Sequence, residues 1–291
     1  MTDAPPRTLA AEWATYLERT PTSAARAAEA GRWLPGGDSR STLTYPPHPL
    51  YLDRGEGATL VDVDGHRYLD LSNNHTVLVH GNGFGPVRDA VAAQLDRGTC
   101  FPGPVDLQVE AARALVERIP SVERVRFTNS GTEATLHAVR AARAFTGRPL
   151  IAKAEGAYHG SQDDVFVSTH PGPDQAGPAH RPAPVPRTPG LGRAALTDTV
   201  VVPFNDPAGA AELLAEVGDR LAAVLLEPVM GSAGMIPATR EYAHALQEAC
   251  RASGALLVVD EVITLRLAVD GGQGRLGLAP DLSCFGKIIG G

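Results

Sequence analysis

Apolar residues in the last third of the chain come in short unbroken runs, with longer stretches of helical period between them. Residues 255–259, ALLVV, are one such run, bounded by Gly254 and followed by two carboxylates, Asp260 and Glu261. A continuous run of this length predicts a strand buried on both faces, as in a parallel sheet. A second short strand is predicted over 281–285, ending on Gly286 and Lys287. Further strands are predicted over 125–129, 150–153, 199–202 and 221–226. Helices are predicted over 107–118 with Asp106 as N-cap, from Ser130 to about 145 with Gly147 as the stop, over 207–217, and over 240–252. Asp206-Pro207 places a cap and an N1 proline where a helix should begin. This alternation predicts an α/β fold, a mainly parallel sheet with helices on both faces.

The first third reads differently. An Ala-rich helix is predicted over 8–31, followed by a Pro/Gly turn, 34–40, that ends on a lone Arg40. Segments 58–63 and 66–71 flank Asp64-Gly65, a pair suited to the positive φ angles of a type I′ hairpin. A helix over 86–97 is stopped by Gly98. The expected division is an N-terminal segment with the hairpin, 1–84, and a large domain, 85–291. Residues 161–198 hold seven prolines and little periodicity, so a long loop is expected there, with a mobile lid as its functional reading.

Two strands thus deliver Asp260 and Lys287 to the carboxyl edge of the sheet, where open α/β folds bind ligands. A structural ion pair and a cofactor lying between the two groups both fit that pattern. Ser130-Gly131-Thr132-Glu133 follows a predicted strand with capping-box spacing. Its free N–H groups and helix dipole make either an anion site or an ordinary cap. Tyr158 reads as a stacking ring or a plain core or surface tyrosine, and His159 as a base, a ring contact or a loop histidine. Arg40 taken alone reads as a solvated loop residue. GNGFG at 81–85 does not complete GxGxxG, because Pro86 stands at the last glycine position, so a dinucleotide loop is not expected.

Composition narrows the choice. A hydrophobic share of 43% supports a sizeable core, and a net charge of −7 without a basic run argues against nucleic acid or an anionic membrane surface. No apolar stretch is long enough to span a bilayer, and MTDAPPRTLAAEW lacks a signal-peptide core, so a cytoplasmic location is expected. Cys100, Cys250 and Cys284 are odd in number and far apart, as reduced thiols would be. Nine histidines form no HExxH and there is no CxxC, so no metal site is expected.

Taken in order, FTNSGTEAT (127–135), AYHG (157–160), PFND (203–206), LLEPVMG (225–231), VVDEVIT (258–264) and FGKIIGG (285–291) resemble the class III, or ω-type, aminotransferases that use pyridoxal 5′-phosphate. The branch resembled holds the glutamate-1-semialdehyde aminomutases and the β-amino-acid transaminases. The resemblance implies a fold-type I enzyme, with 85–291 as its large cofactor-binding domain, working as a homodimer. It implies that Lys287 forms the Schiff base and moves the substrate proton, and that Asp260 keeps the pyridine nitrogen protonated. Ser130, Gly131 and Thr132 would hold the phosphate, Tyr158 and Val262 would cover the two ring faces, and His159 would be a lesser contact. GGDSR resembles the segment that supplies a carboxylate-binding arginine, so Arg40 is expected to bind substrate, with His75 beside it. The expected reaction moves an amino group between a β- or γ-amino carboxylate and a keto acid, the alternative being an aminomutase acting within one molecule. Relatives continue beyond the lysine through a further sheet strand and a C-terminal domain. The sequence therefore reads as incomplete, and a non-catalytic remnant is the alternative of another class.

Overall fold

The computed structural model describes residues 8–290. Residues 1–7 of the stretch considered for a signal sequence, and the final glycine of FGKIIGG, Gly291, lie outside the described residues. The chain divides into two compact units, Met1–Thr99 and Cys100–Gly291. The division falls 15 residues later than the expected 84/85 boundary, because the helix after GNGFG groups with the hairpin.

In the first unit the predicted 8–31 helix is two helices, α1 (Leu9–Arg19) and α2 (Pro21–Ala30). Pro21 lacks the N–H that a continuing helix would need, so it opens α2 at N1 instead. Strands β1 (Leu52–Glu56), β2 (Thr59–Asp62) and β3 (Arg67–Leu69) form an antiparallel sheet. The β2–β3 turn is not type I′. Gly65 has a φ of 89°, but Asp64 is not in the left-handed region, so the turn is the three-residue kind that ends on a left-handed glycine. Asp62 imposes this geometry by accepting the N–H groups of Asp64 and His66 at 3.0 and 2.7 Å. Asp64 is drawn away to the start of α2, where it accepts Thr22 N–H at 2.8 Å and Ser23 N–H at 3.1 Å. A helical turn, α3 (Asn73–Thr76), and α4 (Gly85–Leu95) complete the unit.

The second unit opens with α5 (Asp106–Arg118), in which Asp106 is the first helical residue and Val105 takes the cap position. Then come α6 (Gly131–Thr146), β4 (Leu150–Ala154), α7 (Arg193–Thr197), β5 (Thr199–Val202), α8 (Pro207–Val217) and β6 (Leu221–Leu226). The two-stranded ribbon β7 (Val229–Met230) and β8 (Ile236–Pro237), α9 (Arg240–Ser253), β9 (Leu256–Asp260), α10 (Gly271–Leu276) and β10 (Leu282–Cys284) follow. Five strands make one parallel sheet in the order β10-β9-β6-β4-β5. The period of two divides the strand side chains between its faces. Ala152, Val224, Leu226, Leu257 and Val259 pack with residues of α8 and α9, while Ile151, Ala223, Leu225 and Val258 pack with Ala138, Val139 and Ala142 of α6. Small residues on α6 let it lie close to the sheet. Gly147 and Gly254, with φ of 70° and 72°, end α6 and α9 in the left-handed region that favours glycine.

Two expectations change here. Residues 125–129 are not a strand, since no described strand pairs with them and extended backbone counts as strand only when paired. Residues 161–198 are not an open lid. Val167 bridges Pro186, Ser168 N–H donates to Val185 O at 2.7 Å, and Val165, Val167, Ser168 and Thr169 are buried.

Candidate active site

The sheet order reverses direction between β4 and β6, since the chain runs from β4 outward to β5 and then returns to the other side of β4. Such a reversal opens a crevice at the carboxyl ends of the strands. The segments leaving β4, β6, β9 and β10 there carry Tyr158 and His159, Glu227, Asp260, and Lys287 respectively.

Asp260, 5% exposed, is the centre of this edge. One carboxylate oxygen accepts His159 Nδ1–H at 2.8 Å, and the other accepts Val262 N–H at 3.0 Å. Each oxygen keeps a lone pair for one more donor. His159 is 1% exposed, and its Nε2 is buried without a hydrogen-bond partner. Its backbone carbonyl is held by the Thr135 hydroxyl of α6 at 2.6 Å. The neighbouring Glu261 takes no part. Its carboxylate accepts Gly272 and Gln273 N–H at 2.9 and 2.7 Å, and the Thr264 hydroxyl, and so holds the start of α10.

Ser130 caps α6 by accepting Glu133 N–H at 3.1 Å. Glu133 reaches back to Asn129 N–H at 2.7 Å, one residue earlier than a capping box would place it. The N–H groups of Gly131 and Thr132 precede the helical ladder and point from the positive end of the dipole. Packing at this turn is tight. A side chain at Gly131 would begin 3.1 Å from Val262, and one at Gly160 would begin 2.7 Å from Thr132 Cα. Gly160 also has a φ of 96°, so it alone lets the segment after β4 lie against the start of α6. Ser161 N–H donates to Thr132 Oγ1 at 3.3 Å. Val262 is wedged between Gly131 and Gly286, and Tyr158 stands edge-on to Phe166 with ring centroids 6.4 Å apart.

Lys287 begins the turn after β10 with a φ of 49°, in the left-handed region. Burial pushes its amine pKa down, while the charges of Asp260 and Glu227 oppose the fall. Burial pushes Glu227 up to about 7, against the pull of His159. Burial, and then the Asp260 charge, raise Tyr158. An amine whose pKa burial lowers, a braced carboxylate and the positive end of a helix therefore stand at one sheet edge. Arg40 and His75 belong to the first unit, where Arg40 Nη1 donates to Asn74 Oδ1 at 3.4 Å. Asn73, Asn74, His75 and Thr76 all have positive φ, between 45° and 72°, a turn that costs free energy at every residue. Three groups at the edge were not singled out from the sequence: Glu227, Thr135 and Gly160. Only Glu227 left a visible sign, as a carboxylate directly after an apolar run.

Residues 42–291 match the family Aminotransferase class-III. The chain belongs to the class-III aminotransferases. It is 42% identical over 266 residues to the glutamate-1-semialdehyde 2,1-aminomutase of Thermomicrobium roseum, covering 90% of this chain and 60% of that protein. An omega-transaminase from Sphaerobacter thermophilus superposes with a TM-score of 0.88 at 45% identity, over 94% of this chain and 63% of the other. A beta-phenylalanine aminotransferase from Variovorax paradoxus gives 0.84 at 39%, over 97% and 61%. The chain therefore spans about 60% of the length of the curated relatives it matches. The fold is that of the fold-type I pyridoxal-phosphate transferases. Class-III aminotransferases depend on pyridoxal phosphate, and the residues present fit that group. The buried, unpartnered His159 Nε2 and the spare lone pairs of Asp260 mark a polar site, and the α6 start is ready for a phosphate.

Proposed function

We propose that this class-III aminotransferase chain binds pyridoxal phosphate at the edge described above. The protein would use it to move an amino group between an amino carboxylate and a keto acid through Lys287. The observation that carries the reading is that the His159–Asp260 pair stands at the end of β9, on the sheet edge where Lys287 follows the neighbouring strand β10.

The backbone N–H groups of Gly131 and Thr132, with the Ser130 hydroxyl, would bind the phosphate. Asp260, kept in place by His159 and Val262 N–H, would hold a proton on the pyridine nitrogen. Tyr158 and Val262 would exclude water from the two ring faces. The bound cofactor supplies an electron sink for the pair left when a substrate C–H proton departs. Lys287 Nζ, whose ammonium form burial disfavours, would hold the cofactor and would carry that proton between atoms.

Arg40 and His75 would bind the substrate carboxylate, which an arginine fork suits, and the preferred donors would be β- or γ-amino acids. The identity to the Thermomicrobium roseum protein supports a second reading, a glutamate-1-semialdehyde 2,1-aminomutase. Rapid conversion of that semialdehyde without an added acceptor would select it. A homodimer and a cytoplasmic location belong to the same reading. No helix among the described residues is long and apolar enough to cross a membrane.

The test uses the fact that the chain has two lysines, Lys153 and Lys287. Borohydride reduction in the presence of pyridoxal phosphate, followed by peptide mapping, should put the label on Lys287. Label on Lys153 would overturn the assignment. Chemical reactivity alone would not exclude it, because burial lowers the Lys153 pKa to about 7. Access does, since Lys153 is 0% exposed and its Nζ donates to Val167 O at 2.7 Å.

A further inference from the structure

Glu227 directly follows β6 at the same edge, and none of the roles above uses it. Its residue is 5% exposed. Oε2 accepts Tyr158 N–H at 2.8 Å, and Oε1 accepts Gly231 N–H at 3.4 Å. One carboxylate thus fastens the segment after β4 to the ribbon after β6. A buried carboxylate is an expensive way to close a turn, since an amide or hydroxyl would accept the same N–H with no charge to desolvate. No ion pair within 4 Å offsets it among the described residues; Lys153, the nearest candidate on β4, donates to Val167 O instead.

The segment it fastens is the one that carries the imidazole. His159 is fixed by Thr135 at its backbone carbonyl and by Asp260 at Nδ1, while the preceding peptide is fixed by Glu227 through Tyr158 N–H. Because Asp260 accepts at Nδ1, the proton of a neutral ring sits there and leaves the buried Nε2 bare. We propose that Glu227 is a positioning residue: its carboxylate holds the Tyr158–His159 peptide so that the imidazole Nδ1–H stays aimed at Asp260. Its consequence for cofactor affinity rests on the reading of this edge given under Proposed function. The charged or titratable groups facing Glu227 are Lys153 from β4, His159 after it, Asp260 at the end of β9 and Lys287 after β10. Burial pushes Glu227 up to about 7, so the acid is partly protonated at neutral pH, and either form retains an oxygen that accepts Tyr158 N–H.

The test begins on the protein without cofactor. Histidine 15N spectra, with the His159 signals assigned by their loss in His159→Gln, report which ring nitrogen carries the proton. The wild type should show a single Nδ1–H form. Glu227→Ala should move His159 towards a mixture of the two tautomers and weaken pyridoxal-phosphate binding about tenfold, the loss of one well-placed hydrogen bond. Glu227→Gln keeps an acceptor for Tyr158 N–H and should keep both properties near wild type. A wild-type tautomer in Glu227→Ala, or an equal loss in the two variants, would overturn the proposal. A measurement on the wild type needs no variant to fold. The Tyr158 amide should exchange slowly with solvent deuterium, and exchange at open-loop rates would also overturn it. If the wild type binds no pyridoxal phosphate, the cofactor reading fails, while the tautomer and exchange results still decide the role of Glu227.

Discussion

Lys153 is the sharpest test of how burial sets charge in this chain. It lies within the sheet on β4, between β6 and β5, and is 0% exposed, and burial takes its pKa from an ordinary 10.5 to about 7, with the Glu227 and Glu155 charges opposing the fall. A depressed lysine pKa means that the unfolded chain holds the proton more tightly. The penalty is full below the folded value and is relieved as pH rises from about 7 towards 10.5. The whole difference is worth roughly 5 kcal/mol, and about 2 kcal/mol of it is recovered between pH 7 and pH 9. Lys153→Met keeps an unbranched stem and removes the amine. Urea unfolding of both proteins at pH 7, 8 and 9 isolates the effect, because Lys287 titrates in both and cancels in the difference. The wild type should gain roughly 2 kcal/mol on the variant across that window. Glu227, pushed up to about 7, has the opposite sign: its contribution is lost as pH rises from 4.5 through about 7, and it is present in both proteins. Parallel pH curves for the two proteins would refute the reasoning, because they would mean that Lys153 keeps an ordinary pKa through water that reaches it.

The remaining predictions concern the edge and its substrate. Asp260→Asn should fold and lose turnover by roughly ten- to a hundredfold, the worth of a charge-assisted hydrogen bond, and a near-normal single-turnover rate would show that the carboxylate charge is not needed. Arg40→Ala should lower kcat/KM for a β-amino acid by roughly ten- to a hundredfold and leave the matching plain amine almost unchanged. Equal losses on the two substrates would make Arg40 structural. Gly160→Ala forces a side chain into the left-handed region and against Thr132, so it should cost about 1–3 kcal/mol in stability from the backbone alone and should weaken cofactor binding. A melting temperature like the wild type's would show that the turn can move aside.

The strands of the second unit were legible because each is an apolar run with nothing to interrupt it. LAAVLL at Leu221–Leu226 is buried at every position, and LLVVD at Leu256–Asp260 nearly so. The helix stops at Gly147 and Gly254 and the Asp206 cap were equally local, since one residue supplies the conformation or the hydrogen bond. Where the reading failed, a partner distant in sequence decided. The Asp64-Gly65 pair is compatible with two turns, and the Asp62 carboxylate together with the α2 start selected between them. Residues 125–129 have the composition of a strand but no described neighbour to pair with.

The sequence by itself determined which residues could do the chemistry: two lysines in all, one of them at a strand end, a carboxylate ending another strand, and a Ser-Gly-Thr turn opening a helix. Those are properties of residue type and short spacing. Tertiary structure alone decided which of the two lysines is reachable, and which of two adjacent carboxylates meets an imidazole and which is spent on a helix start. It also decided that a third carboxylate, Glu227, holds the imidazole's own segment. Burial and hydrogen-bond partnership belong to the packed chain. Asp260 is 101 residues from His159 in sequence and 2.8 Å from it in space, and no local pattern encodes that distance.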